Sequence, residues 1–258
     1  MADSFYQEDG ANRFLPTELT IGPWGPDAQH GGPPSALLGR AIELEHGEGK
    51  QVARIVFDIL RPVPLQPLLV DTRVVRPGKK VSLVEASLSA GDDVVMRASA
   101  WLIRRTQLDL RSVTGATPWP GPEAVAVMDA ERIAPELNYL HATEWRFVTG
   151  DFLQPGPATA WIRATVPLVE GEENSSLTHV LAVADSASGV SGALDFFKWL
   201  YINTDLSVYL HRPPTGPWIC IDAETTPQPS GLGLASATLY DEQGPIGTSS
   251  QSLYLSPR

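Results

Sequence analysis

The sequence contains a second, diverged copy of part of itself. Arg61-Pro62 and Arg212-Pro213 lie 151 positions apart (212 minus 61), and at that shift the flanking text lines up. One copy runs from Arg61 to Ile103 and ends VEASLSAGDDVVMRASAWLI; the other runs from Arg212 to Tyr254 and ends LASATLYDEQGPIGTSSQSLY. Each has an apolar strand, a Pro/Gly-rich corner, an alternating strand, an acidic turn and a further strand. The acidic turns are Gly91-Asp92-Asp93 and Asp241-Glu242-Gln243-Gly244. Upstream of each copy is a helix-like segment opened by small residues, Pro33–Glu45 and Ser188–Leu200. A short repeat period builds a solenoid, whereas a period near half the chain indicates a duplicated domain whose halves pair. Two similar halves can keep one active site and let the other decay, so differences between the copies carry information.

With 258 residues, 43% hydrophobic and 19% charged, the chain can bury a sizeable core and does not have the composition of a disordered protein. The net charge of −11 argues against a nucleic-acid partner, which needs a basic face to neutralise phosphates. Arg76, Lys79, Lys80, Arg104, Arg105 and Arg212 are the basic residues that could meet a phosphorylated ligand locally, but each reads first as a solvated surface charge. No run approaches the roughly 18 apolar residues of a membrane-spanning helix. The opening MADSFYQEDGANRF has no basic region followed by an apolar run, so a cytoplasmic location is expected. A single cysteine, Cys220, excludes an internal disulfide framework and reads as a small buried strand residue. The five histidines show no metal-ligand spacing, and no cofactor is expected.

Strands are expected at Arg13–Ile21, Gln51–Leu60, Leu68–Arg76, Val81–Ser89 and Val94–Arg104. The helical spacing of Leu37, Leu38, Ile42 and Leu44 predicts a helix over Ala36–Glu45, with proline tolerated in its first turn. Residues 106–134 carry TGATPWPGPE and little periodicity, and read as a linker. The second half repeats the order, with strands at Leu137–Val148, Thr159–Val166, Asn203–Leu210, Trp218–Glu224, Gly233–Tyr240 and Ile246–Tyr254, and a helix within Val180–Leu200. One helix followed by an antiparallel meander, made twice, predicts an α+β architecture of two curved sheets, each wrapping a helix.

Four stretches carry a family resemblance: His30-Gly31-Gly32-Pro33-Pro34-Ser35-Ala36, Ala184-Asp185-Ser186, Asn203-Thr204-Asp205-Leu206-Ser207 through His211-Arg212-Pro213, and Ser249-Ser250-Gln251. The set resembles the TesB-like acyl-CoA thioesterases (acyl-CoA thioesterase II), over nearly the whole chain. The resemblance implies a double hotdog, with residues 1–105 as the N-terminal hotdog and 135–258 as the C-terminal hotdog that carries the site. It implies an acyl-CoA partner and hydrolysis of the thioester to a free acid and CoA. The family's Asp, Thr and Gln fall on Asp185, Asn203 and Gln251. Asn in place of Thr is a departure, and the adjacent Thr204 points to the other face of a strand.

Thioester hydrolysis needs an activated water, a group that positions it, and donors for the oxygen on which negative charge develops. The expected base is Asp185, with its water held by Asn203 and Gln251 and the oxyanion received by backbone N–H groups around Gly189 and Val190. An Asp before Ser-Ala-Ser-Gly also reads as a helix N-terminal cap. The repeat separates these readings. Shifted back by 151, Asn203 falls on Val52 and Gln251 on Ala100, so the polar pair exists in one copy only. Burying such amides for the fold alone would cost about 1–3 kcal/mol each if they went unpartnered.

His30, Gly31 and Gly32 are expected to shape the ligand site, the glycines by allowing close backbone approach. Phe196, Phe197, Trp199 and Tyr201 read as core or tunnel lining. No G-x-S-x-G elbow is present, and Cys220 has no histidine beside it, so no Ser or Cys nucleophile is supported. Two other readings share the fold: a non-catalytic acyl-thioester binding protein, and an acyl-CoA hydratase or dehydratase. The latter wants a His a few residues after the Asp, and the stretch after Asp185 has none. A homo-oligomer, dimer or tetramer, is expected from sheet edges left exposed.

Overall fold

The computed structural model describes residues 3–111, 115–195 and 198–258. Its first half runs β1 (Tyr6–Glu8), β2 (Arg13–Pro16), α1 (Gly32–His46), β3 (Lys50–Ile59), β4 (Leu68–Arg76), β5 (Val81–Ala90) and β6 (Asp93–Arg104). Two short helices follow, α2 (Ala130–Ile133) and α3 (Asn138–His141). The second half continues with β7 (Thr143–Thr149), β8 (Ala158–Ala164), α4 (Ser176–Ala184), α5 (Ala187–Val190), β9 (Trp199–Asn203) and β10 (Asp205–Leu210). It ends with β11 (Ile219–Pro227), β12 (Leu232–Asp241) and β13 (Gly244–Pro257).

The strand ladders are antiparallel and join in the order β1-β2-β4-β5-β6-β3-β10-β13-β12-β11-β8-β7, with β9 also on β13. The seam between the halves is the β3–β10 pair, where Val56 lies opposite Ser207. Alternation in the sequence becomes two faces of the sheet. In β5 every second residue, Ser82 to Ala90, is buried, and β12 repeats the pattern from Gly233 to Asp241. Many inward residues are small, among them Ala86, Ala98, Ala100, Ala235 and Ala237. That leaves room for the helices, whose Leu37, Leu38 and Ile42 (α1) and Val180 and Leu181 (α4) fill the interior. Each such side chain contributes about 1.5–3 kcal/mol through burial. This is the double hotdog: two curved sheets, fused at one seam, around two central helices.

The 151-residue shift holds for the meander strands. β4, β5 and β6 begin at Leu68, Val81 and Asp93, and β11, β12 and β13 begin at Ile219, Leu232 and Gly244. The paired sequence marks of each copy also meet in space. Arg212 grips the buried Asp241 through two guanidinium contacts of 2.5 and 2.6 Å, and Thr215, Gln243 and Gly244 donate backbone N–H groups to the same carboxylate. In the first copy Arg61 meets Asp93 at 3.3 Å on the open surface. One clamp is buried and the other exposed, so only the former contributes substantially.

The shift fails for the helix. The helix expected within Val180–Leu200 is met only in its first part: α4 starts earlier, at Ser176, α5 ends at Val190, and Trp199–Asn203 is a strand, so among the described residues no helix continues beyond Val190 toward Leu200. Ser175 caps α4 by accepting the Thr178 N–H at 3.2 Å, and the apolar run to Ala184 supplies the buried face. α4 breaks at Asp185–Ser186, and the Ser-Ala-Ser-Gly stretch opens only the single-turn α5, since Ser and Gly are weak helix formers. Three strand bounds also differ. Pro16 ends β2, and the chain turns into a 3-10 helix at Glu18–Thr20. Leu137–Val148 opens with α3 before β7, and Asn203–Leu210 is interrupted at Thr204 between β9 and β10. Residues 120–122 of the expected linker pack on the second half: Pro120 O accepts from Trp161 Nε1 and Pro122 O from Arg146, each at 2.8 Å.

The helices α1 and α4 meet at glycines. A Cβ on Gly32 would lie 2.2 Å from the Ala182 carbonyl oxygen, and one on Gly39 would lie 2.2 Å from Leu181 Cδ1. Backbone cannot step aside as a leucine methyl can. We therefore expect Gly32→Ala to cost about 3 kcal/mol, the upper end for overpacking, and Gly39→Ala about 1 kcal/mol, its lower end. Urea denaturation of both variants checks the order.

Asp241 carries a pH signature. Burial alone would raise its pKa, but the Arg212 guanidinium and the backbone donors outweigh it and hold the carboxyl below its usual value. The resulting stabilisation is fully present above the ordinary carboxylate pKa, near 4, and is lost as pH falls through the lower folded value. Asp241→Asn should therefore be less stable than wild type at neutral pH, with the gap closing as the solution is acidified. Thermal unfolding measured from pH 7 to pH 3 tests this.

Candidate active site

Where α4 ends, its last turn meets the first turn of α1, and Asp185 is the C-terminal cap of α4. It does not cap a following helix: its side chain turns across the junction between the halves. The carboxylate is 6% exposed. Its Oδ1 accepts from Asn203 Nδ2 at 2.7 Å and from Gln251 Nε2 at 3.0 Å. Asn203 is the last residue of β9, and Gln251 lies on the inward face of β13; both are buried. The three residues singled out in the sequence therefore converge on one oxygen. Thr204 is exposed on the opposite face.

Gln251 is committed at both ends of its amide. Nε2 also donates to the Asp185 carbonyl at 3.0 Å, and Oε1 accepts the Ser188 N–H at 3.2 Å. Gln251 is also fully buried and outside the cavity lining, a place suited to positioning Asp185 more than to holding a water. Asn203 differs. Its Nδ2 is engaged, but its Oδ1 accepts no hydrogen bond among the described residues, and the residue lines a cavity.

The other carboxylate oxygen, Asp185 Oδ2, accepts no hydrogen bond among the described residues and lies 3.5 Å from His30 Nδ1. His30 Nδ1 itself accepts the Gly32 N–H at 3.0 Å, so the neutral ring carries its proton on Nε2. Burial lowers the His30 pKa, against an opposing pull from Asp185. A neutral ring means that this contact is not an ion pair. Gly31 is required here because a Cβ would sit 2.6 Å from Asp185 Oδ2.

Tyr139, which sequence reasoning left without a role, organises both sides. Its ring stacks on His30 with centroids 3.8 Å apart and planes 3° apart. Its hydroxyl donates to Ala182 O at 2.8 Å and contacts Ser186 Oγ at 3.2 Å. Burial raises its pKa well above the usual phenol value, so it stays protonated. Nothing local in the sequence marks it, because its partners are 109 and 47 positions away (139 minus 30; 186 minus 139).

Asp185, Asn203 and His30 line a cavity of about 370 Å³. Its apolar wall includes Trp24, Leu137, Leu140, Trp145, Phe152 and Tyr201, from both halves of the chain. Trp199 packs beside Tyr201, while Phe196 and Phe197 lie outside the described residues. Of the two expected backbone donors, the Val190 N–H is taken by Ser186 O at 2.8 Å. The Gly189 N–H has no hydrogen-bond partner among the described residues, and Gly189 lines the cavity. At the shifted positions in the first half, Val52 and Ala100 offer only apolar side chains.

Other reactive side chains fall away from this chemistry. Cys220 is buried against Trp161 and Trp218, and burial raises its thiol pKa far above the usual range. Among the described residues no group of three or more His, Cys, Asp or Glu could hold a metal ion. No helix among them is long and apolar enough to cross a membrane.

Structural comparison places the whole chain beside known double hotdogs. A hot dog fold protein from Alicyclobacillus acidocaldarius superposes with a TM-score of 0.77 at 16% identity, over 98% of this chain and 97% of that one. A protein from Novosphingobium aromaticivorans gives 0.73 at 21% identity, over 97% and 98%. The tesB protein of Mycobacterium avium subs paratuberculosis gives 0.70 at 19% identity, over 98% and 96%. No curated protein sequence matches the chain. Family models supply the missing link: the acyl-CoA thioesterase N-terminal domain matches residues 20–103, and the acyl-CoA thioesterase C-terminal domain matches residues 108–255. With its two domain models in order along the chain, the protein belongs to the acyl-CoA thioesterase family.

Proposed function

We propose that this protein hydrolyses an acyl-CoA thioester to a free acid and CoA, with Asp185 as the general base. The observation that carries the reading is the asymmetry of the Asp185 carboxylate. Two buried amides hold Oδ1, while Oδ2 accepts no hydrogen bond among the described residues and Asp185 lines the cavity. A carboxylate fixed by one oxygen and open at the other is oriented to take a proton.

In this mechanism a water donates one hydrogen bond to Asp185 Oδ2 and the other to Asn203 Oδ1. Its oxygen attacks the thioester carbon as its proton passes to Oδ2. The carbonyl oxygen becomes an oxyanion and is met by the Gly189 N–H. Collapse breaks the carbon–sulfur bond, and the CoA thiolate takes the proton from Asp185, which restores the base. The acyl group lies against the apolar wall. At about 370 Å³ the cavity is at the small end of ligand sites, roughly 300–1,000 Å³, which suits an acyl group with the CoA moiety outside. His30, Gly31 and Gly32 shape the entry from the first half, residues 1–105. The base comes from the second half, residues 135–258.

Thiol release from a panel of acyl-CoAs, short to long and branched, tests the reading in wild type and Asp185→Asn together. We expect chain-length-dependent release that falls by about 10³-fold or more in the variant, the range lost with a general base. Acyl-CoA that protects the protein against heat without thiol release would instead establish a binding protein. A 2-enoyl-CoA that loses its double bond with no thiol released would establish a hydratase. His30, which comes from the other half of the chain, lies close enough to Asp185 to make that control necessary.

Gln251→Ala probes positioning. It removes the Nε2 donor to Asp185 without touching the cavity wall, so kcat should fall about 10²-fold while KM changes little. A Gln251→Ala enzyme with wild-type kcat would show that Asn203 alone orients the base.

A further inference from the structure

Of the cavity-wall hydroxyls that take no part in the mechanism above, that of Ser188 is the one without a partner among the described residues that lies nearest the base in sequence. Ser188 lies in α5, three residues after Asp185, is half-buried and lines the cavity beside Asp185, Asn203 and Gly189. Its backbone N–H donates to Gln251 Oε1 at 3.2 Å, so the amide that pins the base also pins this residue. Among the described residues its Oγ has no hydrogen-bond partner.

Most donors on the elements that carry Asp185 and its amides are already engaged. Asn203 Nδ2 and Gln251 Nε2 both point at Oδ1. The Ser188 N–H is held by Gln251, and the Val190 N–H by Ser186. On the turn that carries the base, this leaves the Gly189 N–H and the Ser188 O–H, on consecutive residues facing one cavity. A tetrahedral oxyanion is best held by more than one preorganised donor, and a side-chain hydroxyl or amide often supplies the second. A nucleophilic serine would instead need its hydroxyl bonded to a base. Ser188 Oγ has no such bond, although Asp185 is on the preceding turn.

We propose that the Ser188 hydroxyl donates to the thioester carbonyl oxygen and, with the Gly189 N–H, forms the oxyanion site. It is then a catalytic residue that holds developing charge and transfers no proton. This inference rests on the Asp185 hydrolysis reading and deepens it.

The test compares wild type, Asp185→Asn, Ser188→Ala and Ser188→Thr on the best acyl-CoA of the panel, with thermal unfolding of each. Ser188→Ala should lose about 10²-fold in kcat with KM within about twofold, as when one oxyanion donor is removed. Ser188→Thr, which restores a hydroxyl, should recover most of that loss, and both variants should unfold at the wild-type temperature. Wild-type kcat in Ser188→Ala would overturn the proposal, as would a rise in KM alone, which marks a wall residue. An equal loss in the Ala and Thr variants with a lowered melting temperature would also overturn it, by showing a structural role. Absence of thiol release from wild type, or full activity in Asp185→Asn, overturns the base assignment and this proposal with it.

Discussion

The close approach of α1 to α4 is the contact on which the site depends. Gly31 and Gly32 leave no Cβ where the Asp185 carboxylate and the Ala182 carbonyl must pass. That approach brings the N-terminus of a fifteen-residue helix against the C-terminus of a nine-residue one. A carboxylate at a helix C-terminus is in an unfavourable field, because the last carbonyls carry partial negative charge. Three features offset this: the Asn203 amide, the Gln251 amide, and the N-terminal end of α1, where partial positive charge favours an anion. An acidic residue in a locally wrong place, held by specific compensation, is the pattern of a functional position.

The duplication explains why this site is single. The meander strands keep their 151-residue shift, and each copy clamps its Arg-Pro corner to the acidic turn. The element between helix and sheet has diverged. Between α1 and β3 the chain needs three residues, but between α5 and β9 it takes eight. The strand that answers to β3 is itself split, with β9 turning at Thr204 into β10. Asn203 stands at the end of β9, at that break, with its amide on Asp185. The first copy has only a bulge there, between Val52 and Arg54, in a continuous β3, and puts Val52 in the corresponding place. Symmetry is kept where the sheets build the core and lost where one half builds a site.

The strands, the α+β class and the convergence of Asp185, Asn203 and Gln251 were legible because each left a mark in the text. The marks were alternation, a repeated corner, and polar residues that appear in only one copy. The second helix was legible only in part. Asp-Ser-Ala-Ser-Gly has the composition of a helix start, but it opens only the single-turn α5, so the local signal misses the longer helix before it. Only the capped apolar run from Ser175 to Ala184 reveals that the helix lies earlier. Tyr139, Trp24 and Trp145 were invisible for another reason. Each acquires its place at the cavity from residues distant in sequence, through stacking and wall-forming contacts that have no periodicity. The histidine beside Asp185 leaves no mark near it in sequence either, because His30 comes from the other half.

The Asn at the family's Thr position follows from this geometry. A threonine hydroxyl has one proton to donate, whereas an asparagine amide separates donor and acceptor onto two atoms. Here Nδ2 donates to Asp185, the proposed base, and Oδ1 accepts no hydrogen bond among the described residues, so one residue can both orient Asp185 and receive a hydrogen bond from water. What Asn203 lacks is a hydroxyl that can turn toward developing negative charge. Among the cavity-lining residues, the hydroxyl closest to Asp185 in sequence that has no partner among the described residues is that of Ser188, held by the same Gln251 that holds the carboxylate. Gln251 thereby couples base and hydroxyl through one buried side chain, and a change on β13 would be felt at both.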